Sequence, residues 1–307
     1  MIAFSTLTLV VSNSALCDDR QVSFDLQPQQ LVIEVDSHPI AVYVFDDPEI
    51  PRPYFAHVKA PFGLQLTRHH PPIDGQDATD HPTMHPGIWL AFGDLDGTDF
   101  WRNKGRIVHR RFIGDPQDGA GAGSFTEVKE YLREDGSVIC QEEFSCRIVE
   151  TQAANILELD SVFSSTQDFC FGDQEEMGLG IRLATPLAEV NGGLLRDADG
   201  RSTAKEIWSQ SAKWCDYSGV IDDQRVGMAI LCHPNNDRPS WFHARDYGFV
   251  AANMFGRKAM HKGPASQLVV PAGEHFRLRY AIAIYSSKEQ KLFDIQSIYN
   301  NYTLSTP

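Results

Sequence analysis

From Gln21 onward, apolar positions alternate with polar ones instead of recurring every three or four residues. Val22, Phe24 and Leu26 share one side of an extended chain, and residues 31–35 and 40–45 repeat the pattern on either side of Asp36-Ser37-His38-Pro39, which reads as a turn. Short strands are expected at 54–59, 64–67, 88–92 and 106–112, with 114–123 a surface loop. Residues 125–132 and 138–149 flank Glu134-Asp135-Gly136, and Asp-Gly between alternating runs is a hairpin signal. Strands at 156–165, 177–184, 226–232, 249–255 and 267–270 continue the series. Phe276, Leu278, Tyr280, Ile282 and Ile284 then fall on one face of the last strand. Helical spacing is confined to the end, where Ser287 and Gln290 fit a capping box ahead of Leu292, Ile295 and Ile298-Tyr299. Many strands, long loops and no fixed-period repeat predict an all-β fold: a large antiparallel β-sandwich over residues 18–307, formed as one domain, with a short C-terminal helix.

Charge narrows the partners. The chain carries 41 acidic against 27 basic side chains, a net charge of −14. Nucleic-acid binding rests on clustered Lys and Arg, so no nucleic-acid partner is expected, and an anionic membrane surface is disfavoured for the same reason. Residues 1–17 read as a secretion signal. Phe4, Leu7, Leu9, Val10 and Val11 are its apolar part, Ala15-Leu16-Cys17 precedes the cut, and Asp18-Asp19-Arg20 opens the mature chain, although no basic residue leads it. A periplasmic or extracellular location follows. No other stretch reaches the roughly 18 apolar residues that span a bilayer. Cys140, Cys146, Cys170, Cys215 and Cys232 contain no Cys-x-x-Cys pair, so they are expected as buried thiols, with one disulfide open as the alternative.

Candidate chemistry concentrates in residues 67–112, which hold five of the eleven histidines and two of the five tryptophans. Arg68-His69 opens the stretch; Asp80-His81-Pro82, His85-Pro86 and Trp89 follow. His81 and His85 have the spacing of a helical zinc pair, but Pro82 and Pro86 argue for a loop, and the zincin pattern needs a Glu after the first His. No metal and no cofactor are assigned, although a loop-borne site of Asp80, His81 and His85 stays open. Proton transfer by His81 is the favoured reading, against plain hydrogen bonding in a loop. A second cluster, Phe171 to Arg182, holds Glu175 and Glu176; Glu176, next to the strand, is the better catalytic candidate, against a solvated turn. A third holds His233-Pro234 and Trp241-Phe242-His243-Ala244-Arg245. In an extended segment Trp241, His243 and Arg245 share one face, and an aromatic ring beside polar groups suits a sugar. No Gly-x-Ser-x-Gly elbow and no phosphate-binding glycine loop is present.

Several of these runs together carry a resemblance. Arg52-Pro53-Tyr54, Asp80-His81-Pro82, Gly87-Ile88-Trp89, Asp99-Phe100-Trp101, Gly105 to His109, Phe171-Gly172-Asp173, Gly180-Ile181-Arg182, Lys213 to Tyr217, His243 to Gly248 and Pro271 to Glu274 are similar to the PmoA-like family of bacterial secreted proteins, from about Arg52 to Tyr285. The methane-oxygenase label often given to that family does not fit a chain without a spanning segment. What the resemblance implies is a galactose-mutarotase-like β-supersandwich, a fold used by epimerases, polysaccharide lyases and glycoside hydrolases. Many members have His-His after Asp-His-Pro; here Thr83-Met84-His85 follows, so a role carries over to His81 more safely than to His85.

The expectation is a carbohydrate-active enzyme that breaks a C–O bond of a glycoside or modified sugar by acid/base chemistry. His81 and His243 are the base and acid, and Glu176 is their carboxylate partner. Arg68, His69, His85, Trp89, His233, Trp241 and Arg245 are expected to bind the carbohydrate. A non-catalytic carbohydrate-binding protein and a sugar epimerase or mutarotase are the alternatives, and the oligomeric state is open.

Overall fold

The computed structural model describes residues 20–151, 154–287 and 291–305; the expected signal at 1–17, with Cys17, and Gln290 of the expected capping box lie outside them. Numbering strands in chain order, one sheet runs β16 (Trp241–Arg245), β17 (Phe249–Asn253), β12 (Met177–Arg182), β5 (Ile88–Phe92), β4 (Tyr54–Ala56), β3 (His38–Val44), β2 (Gln30–Val35), β1 (Gln21–Leu26) and β7 (Gly119–Ala120). The other runs β13 (Leu194–Asp197), β14 (Trp214–Ile221), β15 (Gln224–Cys232), β19 (His275–Ser287), β10 (Ala154–Ser164), β9 (Val138–Glu150), β8 (Ala122–Leu132) and β6 (Arg106–Phe112). β11 (Phe169–Phe171) and β18 (Leu268–Val270) pair with each other. The paired strands are antiparallel. The all-β architecture with a short C-terminal helix is the one the alternation implies.

Alternation also decides what lies inside. Leu31, Ile33, Ile88, Leu179, Ile181 and Val250 of the first sheet meet Phe144, Ile148, Leu157, Ile230, Leu278 and Ile282 of the second in one continuous apolar core. The opposite side of the second sheet offers Trp214, Leu231, Ala281, Ala283 and Tyr285, and α2 (Ile295–Ser305) covers it with Ile295, Tyr299 and Tyr302. Among the described residues no such helix lies over the corresponding outer side of the first sheet, which carries the candidate site.

Several expected elements come out differently. Residues 64–67 form no strand, making only isolated bridges from Gln65 to Lys59 and from Thr67 to Leu183. The 114–123 loop contains β7 and leads directly into β8. β14 escapes the alternation rule because Asp216 and Ser218 interrupt it. The Asp216 carboxylate is buried there by accepting from Arg196 Nε at 2.8 Å and Tyr285 Oη at 2.7 Å. α2 starts at Ile295, where Asp294 accepts from the Ser297 amide at 3.0 Å and so satisfies a free donor of the first turn. All five described cysteines are free thiols.

The core contains charge. Lys129 and Glu142, directly opposed on β8 and β9, lie 3.0 Å apart, and Glu142 also accepts from Tyr131 Oη at 2.8 Å and Ser161 Oγ at 2.6 Å. Removing one partner of such a pair leaves the other ion uncompensated in the interior. Glu142→Ala should therefore cost about 3–5 kcal/mol of stability. Urea unfolding measures it, and a loss near zero would mean that the Lys129 ammonium finds water.

Candidate active site

The cross-strand register sets the site out in rows on the outer side of the first sheet. Trp89 lies opposite Gly180, Gly180 opposite Ala251, and Ala251 opposite His243. The next row is Arg182, Phe249 and Arg245. Gly180 is required by close approach, since a Cβ there would stand 2.7 Å from the Trp89 ring and 3.0 Å from Trp101. The space it leaves is filled by an aromatic floor centred on Phe249. That ring stacks on His85 at 4.7 Å, meets His243 edge-on at 5.0 Å, and lies 6.1 Å from Trp89 and from Trp101 and 6.2 Å from Tyr247.

Above this floor runs the loop before β5. The structure bears out the loop reading: a single His85 N–H to His81 C=O bond of 3.1 Å closes one turn and brings the two imidazoles together at 4.8 Å. Buried arginines supply the loop's other partners. Arg68 donates to the carbonyls of Ala78, Asp80, His81 and His85. Arg52 donates to the carbonyls of Met84, Phe100 and Trp101, tying this loop to the next. Arg182 grips Asp80 with two bonds of 2.9 and 2.7 Å and lies over the Tyr247 ring at 4.5 Å. Asp80 in turn meets His81 Nδ1 at 2.9 Å. Partial burial would raise the Asp80 pKa, but the bonds from Arg182 and His81 outweigh it and hold the group well below the usual carboxylate range. At Gly87 the loop enters β5 with φ of +149°, and a Cβ there would stand 2.1 Å from the Phe55 carbonyl oxygen.

The two adjacent glutamates before β12 diverge. Glu175 accepts from Trp208 Nε1 and from Arg245, each at 2.8 Å, and its Oε1 stands 3.3 Å from His243 Nε2. Its backbone carbonyl takes the Asn253 amide at 3.0 Å and faces His243 Nδ1 at 3.3 Å. Burial would raise Glu175, but His243, Trp208 and Arg245 outweigh it and hold it ionised. Glu176 turns the other way and pairs with Arg102. Burial raises its pKa, Glu175 and Asp99 add to the effect, and Arg102 opposes it. His243 is buried and pushed down to about 4, by burial first and then by Arg245. His85, 1% exposed, is pushed down to about 2 by burial and by Arg182, His81, Arg52 and Arg68. Neither ring nitrogen of His85 has a hydrogen-bond partner among the described residues.

The structure thus separates the residues nominated from sequence. His81, Glu176 and Arg245 reach the accessible face, with Asp80 and Tyr247 beside them. Trp241 is half-buried at the β16 edge of the same face. His243 is on the face but clamped to Glu175. Arg68, His85 and Trp89 are sealed beneath it, at 1% exposure each, and cannot touch a ligand there. His69 turns to Asp77, 2.9 Å away. His233 is not part of the site: it follows β15 of the other sheet and packs edge-on against Tyr302 of α2 at 5.4 Å. Sequence reasoning passed over Glu175 and Tyr247. The available signal was that Tyr247 sits two residues beyond Arg245. Asp80, His81 and His85 have donor atoms within 4.8 Å of one another, near enough for a metal ion on distance alone. The surroundings oppose a cation, because Asp80 is already taken by Arg182 and three guanidiniums ring His85.

A family model matches residues 30–294. The chain belongs to DUF6807, a family of unknown function. No curated protein sequence matches it. Among solved structures, a galactose mutarotase-like protein from Lactobacillus casei is 9% identical over 87% of this chain and all of its own, with a TM-score of 0.39. One from Clostridium acetobutylicum is 9% identical over 88% of this chain and 99% of its own, with a TM-score of 0.43. An alpha-galactosidase from Lactobacillus brevis is 8% identical over 87% of this chain and 39% of its own, with a TM-score of 0.37.

The two depressed histidines fix a pH dependence. Folded His243 and His85 resist protonation, whereas the unfolded chain takes those protons near the ordinary value of about 6.5. Stability is therefore complete above about pH 6.5 and falls as the pH drops toward 4 for His243 and further for His85, on the order of 1 kcal/mol per pH unit for each. His85→Phe keeps the ring stack and should roughly halve the slope between about pH 6 and pH 4.5. Urea unfolding against pH checks this, and an undiminished slope would mean that His85 is charged or hydrated in the fold.

Proposed function

We propose that this DUF6807 chain is a carbohydrate-active enzyme of acid/base type, with His81 as proton acceptor and Glu176 as proton donor. The observation that carries the reading is the Arg182–Asp80–His81 chain. A carboxylate that accepts from Arg182 is acceptor-only, so the neutral imidazole must present Nδ1–H to it, which leaves the Nε2 lone pair free on an exposed ring. Glu176 stands on the same face beside Arg102, and burial raises its pKa, which makes it a better proton donor than an ordinary carboxyl. The rings of Tyr247 and Trp241 offer apolar surface to a sugar, and Arg245 offers donors to its oxygens. His243, nominated as the acid, fits a positioning role better: it is buried, holds Glu175, and through Glu175 sets Arg245. The site of action is the periplasm or the outside of the cell, as the apolar residues 4–11 favour.

His81→Ala and Glu176→Gln should each lower turnover of a responsive glycoside about 10²- to 10⁴-fold while leaving the unfolding midpoint near that of the parent chain. Turnover on a glycoside panel with circular dichroism melts measures both. Full activity in the two variants would remove these assignments, and saturable binding without product in the parent chain would leave a carbohydrate-binding protein.

A further inference from the structure

The charge around the proposed acid and base is lopsided, and that selects among reactions. Arg52, Arg68 and Arg182 are each at most 2% exposed, and Asp80 is the carboxylate bonded among them. At the rim of the face Arg102 is paired with Asp99 and Glu176, and Arg245 with Glu175, so the unbalanced positive charge is the buried layer of Arg52, Arg68 and Arg182 around Asp80. Asp77, the next carboxylate along the loop, turns away to His69. Glycoside hydrolysis develops positive charge on the sugar ring, an oxocarbenium-like state that this floor opposes. Removal of a proton from carbon develops negative charge on an adjoining oxygen, which fixed guanidiniums in a water-poor layer stabilise. Imidazole is a weak base, so the carbon acid must be activated by a neighbouring carbonyl or carboxylate.

Resting on the acid/base reading above, we propose that the substrate is an oxidised sugar, bearing a ring ketone or a carboxylate, and that its C–O bond is broken by β-elimination. His81 Nε2 takes the proton on the carbon next to the carbonyl or carboxylate. The C–H electron pair passes into an enolate, which collapses to a carbon–carbon double bond as the C–O bond to the leaving group breaks. Glu176 gives its proton to the departing oxygen. The products are an unsaturated sugar and an alcohol; His81 ends protonated, Glu176 ends ionised, and solvent returns the proton. No oxidant, reductant or added water is consumed.

The test incubates the full chain in deuterium oxide with disaccharides in three matched forms: neutral, with a carboxylate replacing the primary alcohol, and with a ring ketone. Mass spectrometry and ultraviolet absorbance follow deuterium at the activated carbon and the conjugated product. An unsaturated product from the carboxylate or the ketone form, at least about 100-fold slower with His81→Ala, supports the proposal and says which activating group is used. Glu176→Gln should keep the deuterium exchange and lose the elimination, a split that a structural role for Glu176 would not produce. Saturated hydrolysis products without exchange would overturn the elimination while leaving His81 and Glu176 as acid and base. Neither product nor exchange from any form would overturn both readings.

Discussion

The site depends on two buried arginines that answer for a loop's backbone. Residues 78–85 belong to no strand and no helix, yet they lie against the sheet where water cannot reach every carbonyl. An unpaired buried carbonyl costs about as much as a lost hydrogen bond, and Arg68 removes that cost at four residues of the loop, Ala78, Asp80, His81 and His85. Arg52 does the same for Met84 and extends the tie to Phe100 and Trp101. Burial pushes the two guanidiniums down to about 10 and about 9, still well above neutrality, so both stay charged. They hold the loop shape and set a positive potential under it with the same atoms.

Everything above the arginines follows from that potential. His85 sits among the guanidiniums and must be neutral, so it serves as a ring in the stack and not as an acid. Asp80 is ionised against Arg182, which fixes the His81 tautomer and leaves one nitrogen open. Glu175 and Glu176 show how a strand entry divides two identical groups: one is ionised by His243, Trp208 and Arg245, and the other is raised by burial beside its neighbour. Paired groups pushed apart in acidity are a recurrent feature of sites that move protons.

The strands were legible where a two-sided sheet needs period-two alternation, as in β1, β9, β10 and the first half of β19. The loop was legible from Pro82 and Pro86. The shared face of Trp241, His243 and Arg245 also followed from alternation alone. What alternation cannot carry is which sheet a strand joins. His233 and His243 are ten residues apart, but β15 and β16 belong to different sheets, so one histidine lies by α2 and the other by Phe249. Burial is equally nonlocal. Trp89 and Arg68 look like ligand-binding side chains in sequence, and only the packing of Trp101, Gly180 and the 78–85 loop closes them off. The choice between Glu175 and Glu176 turned on which way one residue points, which nearness to the strand does not decide.

A sandwich has two outer faces, and the two here are covered by different means. α2 covers the second sheet with Ile295, Tyr299 and Tyr302, and its backbone satisfies itself, so it brings no charge to that face. The first sheet is covered by loops, whose carbonyls need outside donors. Lysine would offer a single point of charge, whereas the planar fork of arginine reaches several carbonyls at once. The need to satisfy loop backbone therefore concentrates fixed positive charge on one face of the fold. That charge then requires Asp80 as a counterion, and Asp80 orients His81. The chemistry of the face is in this sense a consequence of covering a sheet with loops instead of a helix.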